Sequence, residues 1–236
     1  MTLFDDEPTG RASAEAVSAP PAPPVPPART PAPGTRLLER ADALAAGARP
    51  ADALPVYREL LASEPEHLEG RLHLARLLLQ LEELEGALAV LNDALRHAPD
   101  QTEFLVLRGG IYASLRLYPE ADADLRRVLR LYPSHAPAHL ELGRLLWRKG
   151  LAAEAATHFR RSLEFQPDNA RTCYYLGDAL NQSGDLPGAR LALERAVLLD
   201  PHDGKAYHLL GRVFDRLGHP DEAREMYQRS RELADA

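Results

Sequence analysis

Of the nine histidines in the chain, two stand at a spacing that metal chemistry uses. His135 and His139 are four apart, which can place two imidazoles on one helix face. Pro137 between them marks a helix start, and no cysteine or third histidine is near in sequence. They are expected to be exposed loop histidines that hold no metal. Cys173 is the single cysteine, so the chain forms no internal disulfide. It is expected to be a buried structural thiol rather than a reactive one. The chain carries no G-x-x-x-x-G-K-[ST], no G-x-S-x-G and no H-E-x-x-H. Its Asp and Glu residues are spread over what read as solvated helix faces, and no pair stands out as acid and base. The residues therefore predict no enzyme and no cofactor. The chemistry left is recognition by tryptophan, tyrosine and arginine, the types that most often anchor interfaces.

The elements that must position those residues are helical hairpins. In the stretch Ala170–Asp203, Leu176 and Leu180 mark one face of a first helix, and Ser183-Gly184-Asp185 breaks it. Ala189, Leu193, Ala196 and Val197 then form the stripe of a second amphipathic helix, which Asp200-Pro201 ends. The unit recurs. Pro65, Pro99, Pro133, Pro167 and Pro201 are each 34 residues apart. Counting Gly34 as place 1, place 20 is always alanine: Ala53, Ala87, Ala121, Ala155, Ala189 and Ala223. Place 8 is always small (Ala41, Ala75, Gly109, Gly143, Gly177, Gly211), and place 24 is always bulky (Tyr57, Leu91, Leu125, Phe159, Leu193, Tyr227). Small places facing large ones build a close-packed core. Glycine inside a helix costs about 0.5–1 kcal/mol against alanine. Its return at one place predicts a close helix crossing.

A 34-residue period with L-G, A, F/Y and P at these spacings resembles the tetratricopeptide repeat family. The resemblance covers Gly34–Ala236 as six units in register: 34–67, 68–101, 102–135, 136–169, 170–203 and 204–236. It implies an all-α solenoid of helical hairpins coiled into a right-handed superhelix. It also implies a concave groove lined by places 2, 5, 9, 12 and 13 of each first helix. In the N-terminal half these places carry Leu38, Asp42, Leu72, Arg76, Leu79, Val106, Gly110 and Ala113, a largely apolar strip. In the C-terminal half they carry Leu140, Arg144, Trp147, Arg148, Arg171, Tyr174, Asp178, Asn181, Lys205, His208, Arg212 and Arg216, an aromatic and basic strip. The resemblance makes this second strip the expected binding site for an acidic and apolar peptide or helix. The alternative for Trp147 and Tyr174 is that they fill gaps between helices. Some members of the family clamp a chaperone's C-terminal carboxylates with Lys, Asn and Arg. Of the matching places here only Lys205 conforms, so that adaptor role is not expected.

Upstream of the repeats, 1–33 holds nine of the 20 prolines, with alanine and serine between them. Such a segment buries too little surface to fold and reads as a disordered, semi-extended Pro/Ala-rich arm. Its start, Leu3-Phe4-Asp5-Asp6-Glu7, is either a solvated terminus or a tethered binding motif. Its acidic first residues exclude a secretory signal, and no run of 18 apolar residues exists to span a membrane. A cytoplasmic protein is expected, and the arginine, alanine and proline bias fits a GC-rich bacterial genome. The net charge of −7 argues against a nucleic-acid partner. In the last unit, place 28 changes from Leu or Val to Arg231, and with Arg224 and Gln228 it forms the polar outer face of a terminal repeat. The reading is a non-enzymatic scaffold for a protein partner. The alternatives are an assembly factor for a bacterial pilus or secretion machine and, more remotely, an enzyme with an unrecognised site.

Overall fold

The computed structural model describes residues 32–235. The arm reading, with its Leu3–Glu7 segment, lies almost wholly outside the described residues. Among those residues there are twelve α-helices and no strand. They are α1 (Pro33–Ala45), α2 (Leu54–Ser63), α3 (Leu68–Gln80), α4 (Leu84–His97), α5 (Thr102–Ser114), α6 (Tyr118–Leu131), α7 (Ala136–Arg148), α8 (Ala152–Phe165), α9 (Ala170–Ser183), α10 (Leu186–Leu199), α11 (Gly204–Leu217) and α12 (Pro220–Ala234). Each odd-numbered helix packs on the even-numbered one that follows, and each even-numbered helix packs on the next odd one. The fold is an all-α solenoid of hairpins.

Four of the first helices, α3, α7, α9 and α11, start where place 34 of the preceding hairpin supplies a cap. His67 Nδ1 accepts from the Gly70 N–H at 3.0 Å, His135 Nδ1 from Ala138 at 3.2 Å and Asn169 Oδ1 from Thr172 at 2.9 Å. Asp203 Oδ1 accepts from both Lys205 and Ala206 at 2.9 and 3.2 Å. Each cap satisfies an amide that the helix itself leaves open. Second helices start on prolines, which suit a first turn: Pro55, Pro119, Pro187 and Pro220. The second helix of the first hairpin opens with a 3-10 turn over Pro50–Ala53 before α2 begins. The prolines at place 32 follow the ends of α2, α4, α6, α8 and α10, because proline cannot continue a helix.

The core follows the small-against-large pattern. Leu91, Leu125, Phe159 and Leu193 are fully buried, as are the place-20 alanines Ala53, Ala87, Ala121, Ala155 and Ala189. A methyl carbon added at Gly143 would stand 2.6 Å from Phe159 Cε1, and one at Gly177 would stand 2.5 Å from Leu193 Cγ. The helices cross too closely there for any side chain. One continuous apolar core runs from Leu38 to Val213, with a small satellite of Cys173, Ala196 and Ala206. At the end of the array α12 buries only Ala223, and Arg224, Gln228 and Arg231 are exposed.

Polar ties close the joints. At place 4, Arg71 donates to the Pro65 carbonyl from Nε (3.0 Å) and Nη2 (2.5 Å) and pairs with Asp93. His139 does the same work with one ring nitrogen, donating from Nε2 to the Pro133 carbonyl at 3.0 Å. A carbonyl only accepts, so His139 Nε2 carries its hydrogen, while its Nδ1 lies 3.1 Å from His158 Nδ1. This corrects the expectation of exposed loop histidines. His139 is buried, and His135 is the half-buried cap of α7.

Candidate functional site

The first helices α7, α9 and α11 carry the aromatic and basic strip, and the structure organises it around Tyr175. The Tyr175 ring stacks on Phe159 (centroids 5.7 Å apart), meets Tyr174 edge-on (5.4 Å) and meets Trp147 edge-on (6.3 Å). Arg144 and Arg171 lie over the same ring at 5.3 and 5.8 Å. Such contacts fix ring and guanidinium orientations before any partner arrives. Tyr175 occupies place 6, outside the strip that the resemblance implies. The doublet Tyr174-Tyr175 was the sequence signal for it.

The structure does not leave every expected residue free for a partner. Arg144 is tied to Glu141 at 2.7 Å, and both side chains are mostly buried. Burial opposes its charge, but Glu141 and Tyr175 outweigh that and raise its pKa. Asn181 is buried. Its backbone carbonyl accepts from Arg216 Nη1 at 2.6 Å, and its side-chain oxygen holds the same nitrogen. Arg148 donates from Nη1 to the Ala113 carbonyl at 3.1 Å. Arg148 and Arg216 occupy the same place two hairpins apart, and each tethers the C-terminal end of the preceding first helix. Cations at a helix C-terminus are favourable. Arg144, Arg148, Asn181 and Arg216 thus already hold partners within the array.

Arg171, Lys205 and Arg212 remain exposed on α9 and α11, and none forms an ion pair among the described residues. His208 is exposed beside the Tyr227 ring at 5.4 Å. Half-buried between α7 and α11 stand Trp147, Tyr174 and Asp178. The Trp147 indole N–H is buried without a hydrogen-bond partner. Burial pushes the Asp178 carboxyl above its usual range, and Gln182, Arg212 and the nearby Trp147 indole partly offset this. Trp147 acts on Asp178 electrostatically, short of a formed hydrogen bond. Burial, then Asp178, pushes the Tyr174 hydroxyl up as well. The orphaned Trp147 donor, with three cations that form no ion pair among the described residues on α9 and α11, leaves this surface short of partners, since an unmet buried polar group costs free energy.

The N-terminal strip is different. Leu38, Val106 and Ala113 are buried in the core, and Leu72 and Leu79 are half-buried against it. Asp42 accepts from Tyr57 Oη at 2.5 Å and sits 2.7 Å from His73 Nδ1. Arg76 alone is exposed without an ion pair. Leu79, Val106 and Gly110 line a hollow of about 120 Å³ whose wall is mostly apolar.

Cys173 is buried, and burial pushes its thiol above the ordinary value, so it is a poor nucleophile. Among the described residues no group of three or more His, Cys, Asp or Glu is placed to hold a metal ion. No described helix is long and apolar enough to cross a membrane.

Family models described as tetratricopeptide repeat match residues 43–109, 147–208 and 180–235, and a second such model matches 106–170. No curated protein matches the chain. Among solved structures, PilW, titled a widely conserved type IV pilus biogenesis factor, is similar at 21% identity and a TM-score of 0.74, covering 82% of this chain and 90% of that one. MamA from Desulfovibrio magneticus is similar at 27% identity and TM-score 0.61, covering 71% and 95%. YrrB, titled a repeat protein with an unusual peptide-binding site, is similar at 21% identity and TM-score 0.57, covering 75% and 91%.

Proposed function

The chain belongs to the tetratricopeptide repeat family, and from that premise we propose that it is a non-enzymatic scaffold holding a protein partner on the first helices α7, α9 and α11. The family is a protein-interaction module, and YrrB is titled a peptide-binding member. The observation that carries the reading is the company kept by Trp147. Its buried indole N–H forms no hydrogen bond among the described residues, Asp178 is near it and Tyr175 meets it edge-on, while Arg171, Lys205 and Arg212 on α9 and α11 form no ion pair among the described residues. A partner segment with apolar and acidic residues fits that set: an apolar side chain against Trp147 and Tyr174, and carboxylates against the cations. The partner is a protein rather than nucleic acid, because the whole chain is acidic. A cytoplasmic location belongs to the same proposal and is checked by cell fractionation. The narrower role of a pilus or secretion assembly factor gains no residue-level support from PilW, since 21% identity carries the fold alone.

The test is affinity for a partner recovered with the intact chain. Trp147→Ala should weaken binding by about tenfold or more, since interface anchors of this type contribute 2 kcal/mol and up. Arg212→Glu should weaken it further, and added salt should erode the charged share. Both variants should keep the helical circular dichroism of the parent. Unchanged affinity in both would remove this strip as the site.

A further inference from the structure

A second surface is built from helix ends rather than from the strip. The N-termini of α5 and α7 and the C-termini of α6 and α8 meet around an open pocket of about 490 Å³. Its lining shares no residue with the aromatic and basic set around Trp147, and only Glu103 and Pro137 hold a groove place, the second of their units. Two exposed aromatic rings form its walls: Tyr132, at the cap of α6, is 54% exposed, and Phe165, the last residue of α8, is 46% exposed. Large aromatics left this open at two neighbouring joints are unusual, because each ring forgoes burial worth about 1.5–3 kcal/mol. Phe165 is nevertheless held in place, stacked on His139 at 6.4 Å, and His139 is itself tied to Pro133 and His158.

The pocket has one formal charge. Glu103 lies in the first turn of α5, takes a hydrogen bond from Thr102 Oγ1 at 3.0 Å and forms no ion pair among the described residues. No lysine or arginine lines the pocket. His135 is beside it, but its Nδ1 is engaged in capping α7, and burial holds its pKa below the usual histidine value. It is therefore neutral near pH 7 and leaves the Glu103 charge uncompensated. The Gln166 amide completes a polar rim.

We propose that this pocket receives an arginine side chain from a protein partner, independently of the groove. Aromatic faces and an unpaired carboxylate are what a planar guanidinium recognises, by stacking, cation–π attraction and charge-assisted hydrogen bonds. A lysine ammonium would use the charge but not the stacking. The N-terminus of α5 favours an anion instead, but Glu103 already occupies its first turn and meets that preference, and at α7 the His135 ring caps an open first-turn amide.

The experiment titrates the full chain with N-acetyl-arginine methylamide while following the aromatic carbon–proton NMR signals of Tyr132 and Phe165. The citrulline and glutamate analogues serve as the neutral and anionic comparisons. The arginine probe should shift both signals saturably in the millimolar range and leave Trp147 unmoved. Citrulline should bind at least about tenfold more weakly, and Glu103→Gln should lower arginine affinity by about tenfold. Tyr132→Ala, at an exposed position, should abolish the response with the circular dichroism unchanged. Equal shifts from citrulline, or preference for the glutamate analogue, would overturn the assignment. So would movement of the Tyr132 and Phe165 signals in the free protein on Arg11→Ala or Arg29→Ala, which would make this chain's own arm the occupant. Because Trp147 reports separately, failure here leaves the groove reading standing, and failure of the groove leaves this one testable.

Discussion

The hairpins of α1–α6 and those of α7–α12 follow one pattern but solve it with different residues. At place 15, just after the first helix, five of the six hairpins turn through positive φ. The later hairpins put glycine there: Gly150 (φ 78°), Gly184 (91°) and Gly218 (81°). The earlier ones put Glu82 (62°) and Arg116 (63°). At place 8 the two earliest hairpins carry Ala41 and Ala75, whereas every later one carries glycine against a bulky partner. A non-glycine residue in the left-handed region carries a cost of order 1–2 kcal/mol. An alanine at the crossing holds the helices further apart. The comparison teaches that the C-terminal hairpins are the more fully optimised scaffold. They are also the ones that carry orphaned and half-buried polar groups on their open strip. A surface that leaves the Trp147 indole N–H unmet tolerates that cost because the helices beneath it are closely packed.

The sharpest test is at the crossings. Gly143→Ala and Gly177→Ala should each lower stability by about 1–3 kcal/mol, since the new methyl meets Phe159 or Leu193 inside contact distance. Ala75→Gly, in the earlier half, should cost only about 0.5–1 kcal/mol, through chain entropy. Equal effects in thermal or denaturant unfolding would erase the distinction between the halves. At the turns, Gly184→Ala should destabilise by about 1–2 kcal/mol. The reverse changes, Glu82→Gly and Arg116→Gly, should stabilise by about 0.5–1 kcal/mol, the relief of strain less the added freedom of the unfolded chain. A loss of stability on Glu82→Gly would mean that its side chain supports the turn. The smallest effects are local. Amide hydrogen exchange should be faster in α1 and α2 than in α7–α10, because end repeats have one neighbour and this one starts with an irregular second helix. Cys173 should react with a thiol reagent at pH 8 only as fast as its hairpin opens, since burial keeps the thiol protonated.

Much of this was legible in the residues. The period fixes where helices begin and end, because Pro at place 32 and, in the later hairpins, Gly at place 15 have local, steric consequences. The small-against-large pairing of Gly177 with Leu193 was also readable, since a repeat must bury the same face each time. Identity at a place, however, does not show which atoms of a long side chain find a partner. Arg148, Arg212 and Arg216 look alike in sequence. In the fold, two of them tether the preceding helix and the third stays unpaired, according to whether a carbonyl lies within reach. Arg71 and His139 share place 4 and, despite different chemistry, both tie the preceding proline carbonyl.

The sequence by itself therefore determined the all-α hairpin solenoid, its family and the strip on which aromatic and basic residues concentrate. Local backbone sterics and a repeated burial pattern are written one residue at a time. Only the tertiary structure decided which members of that strip are already engaged, that Tyr175 is its hub, and that Tyr132 and Phe165 meet Glu103 around one pocket. Those facts depend on distances between side chains about 30 residues apart or on separate helices, and no local rule carries them.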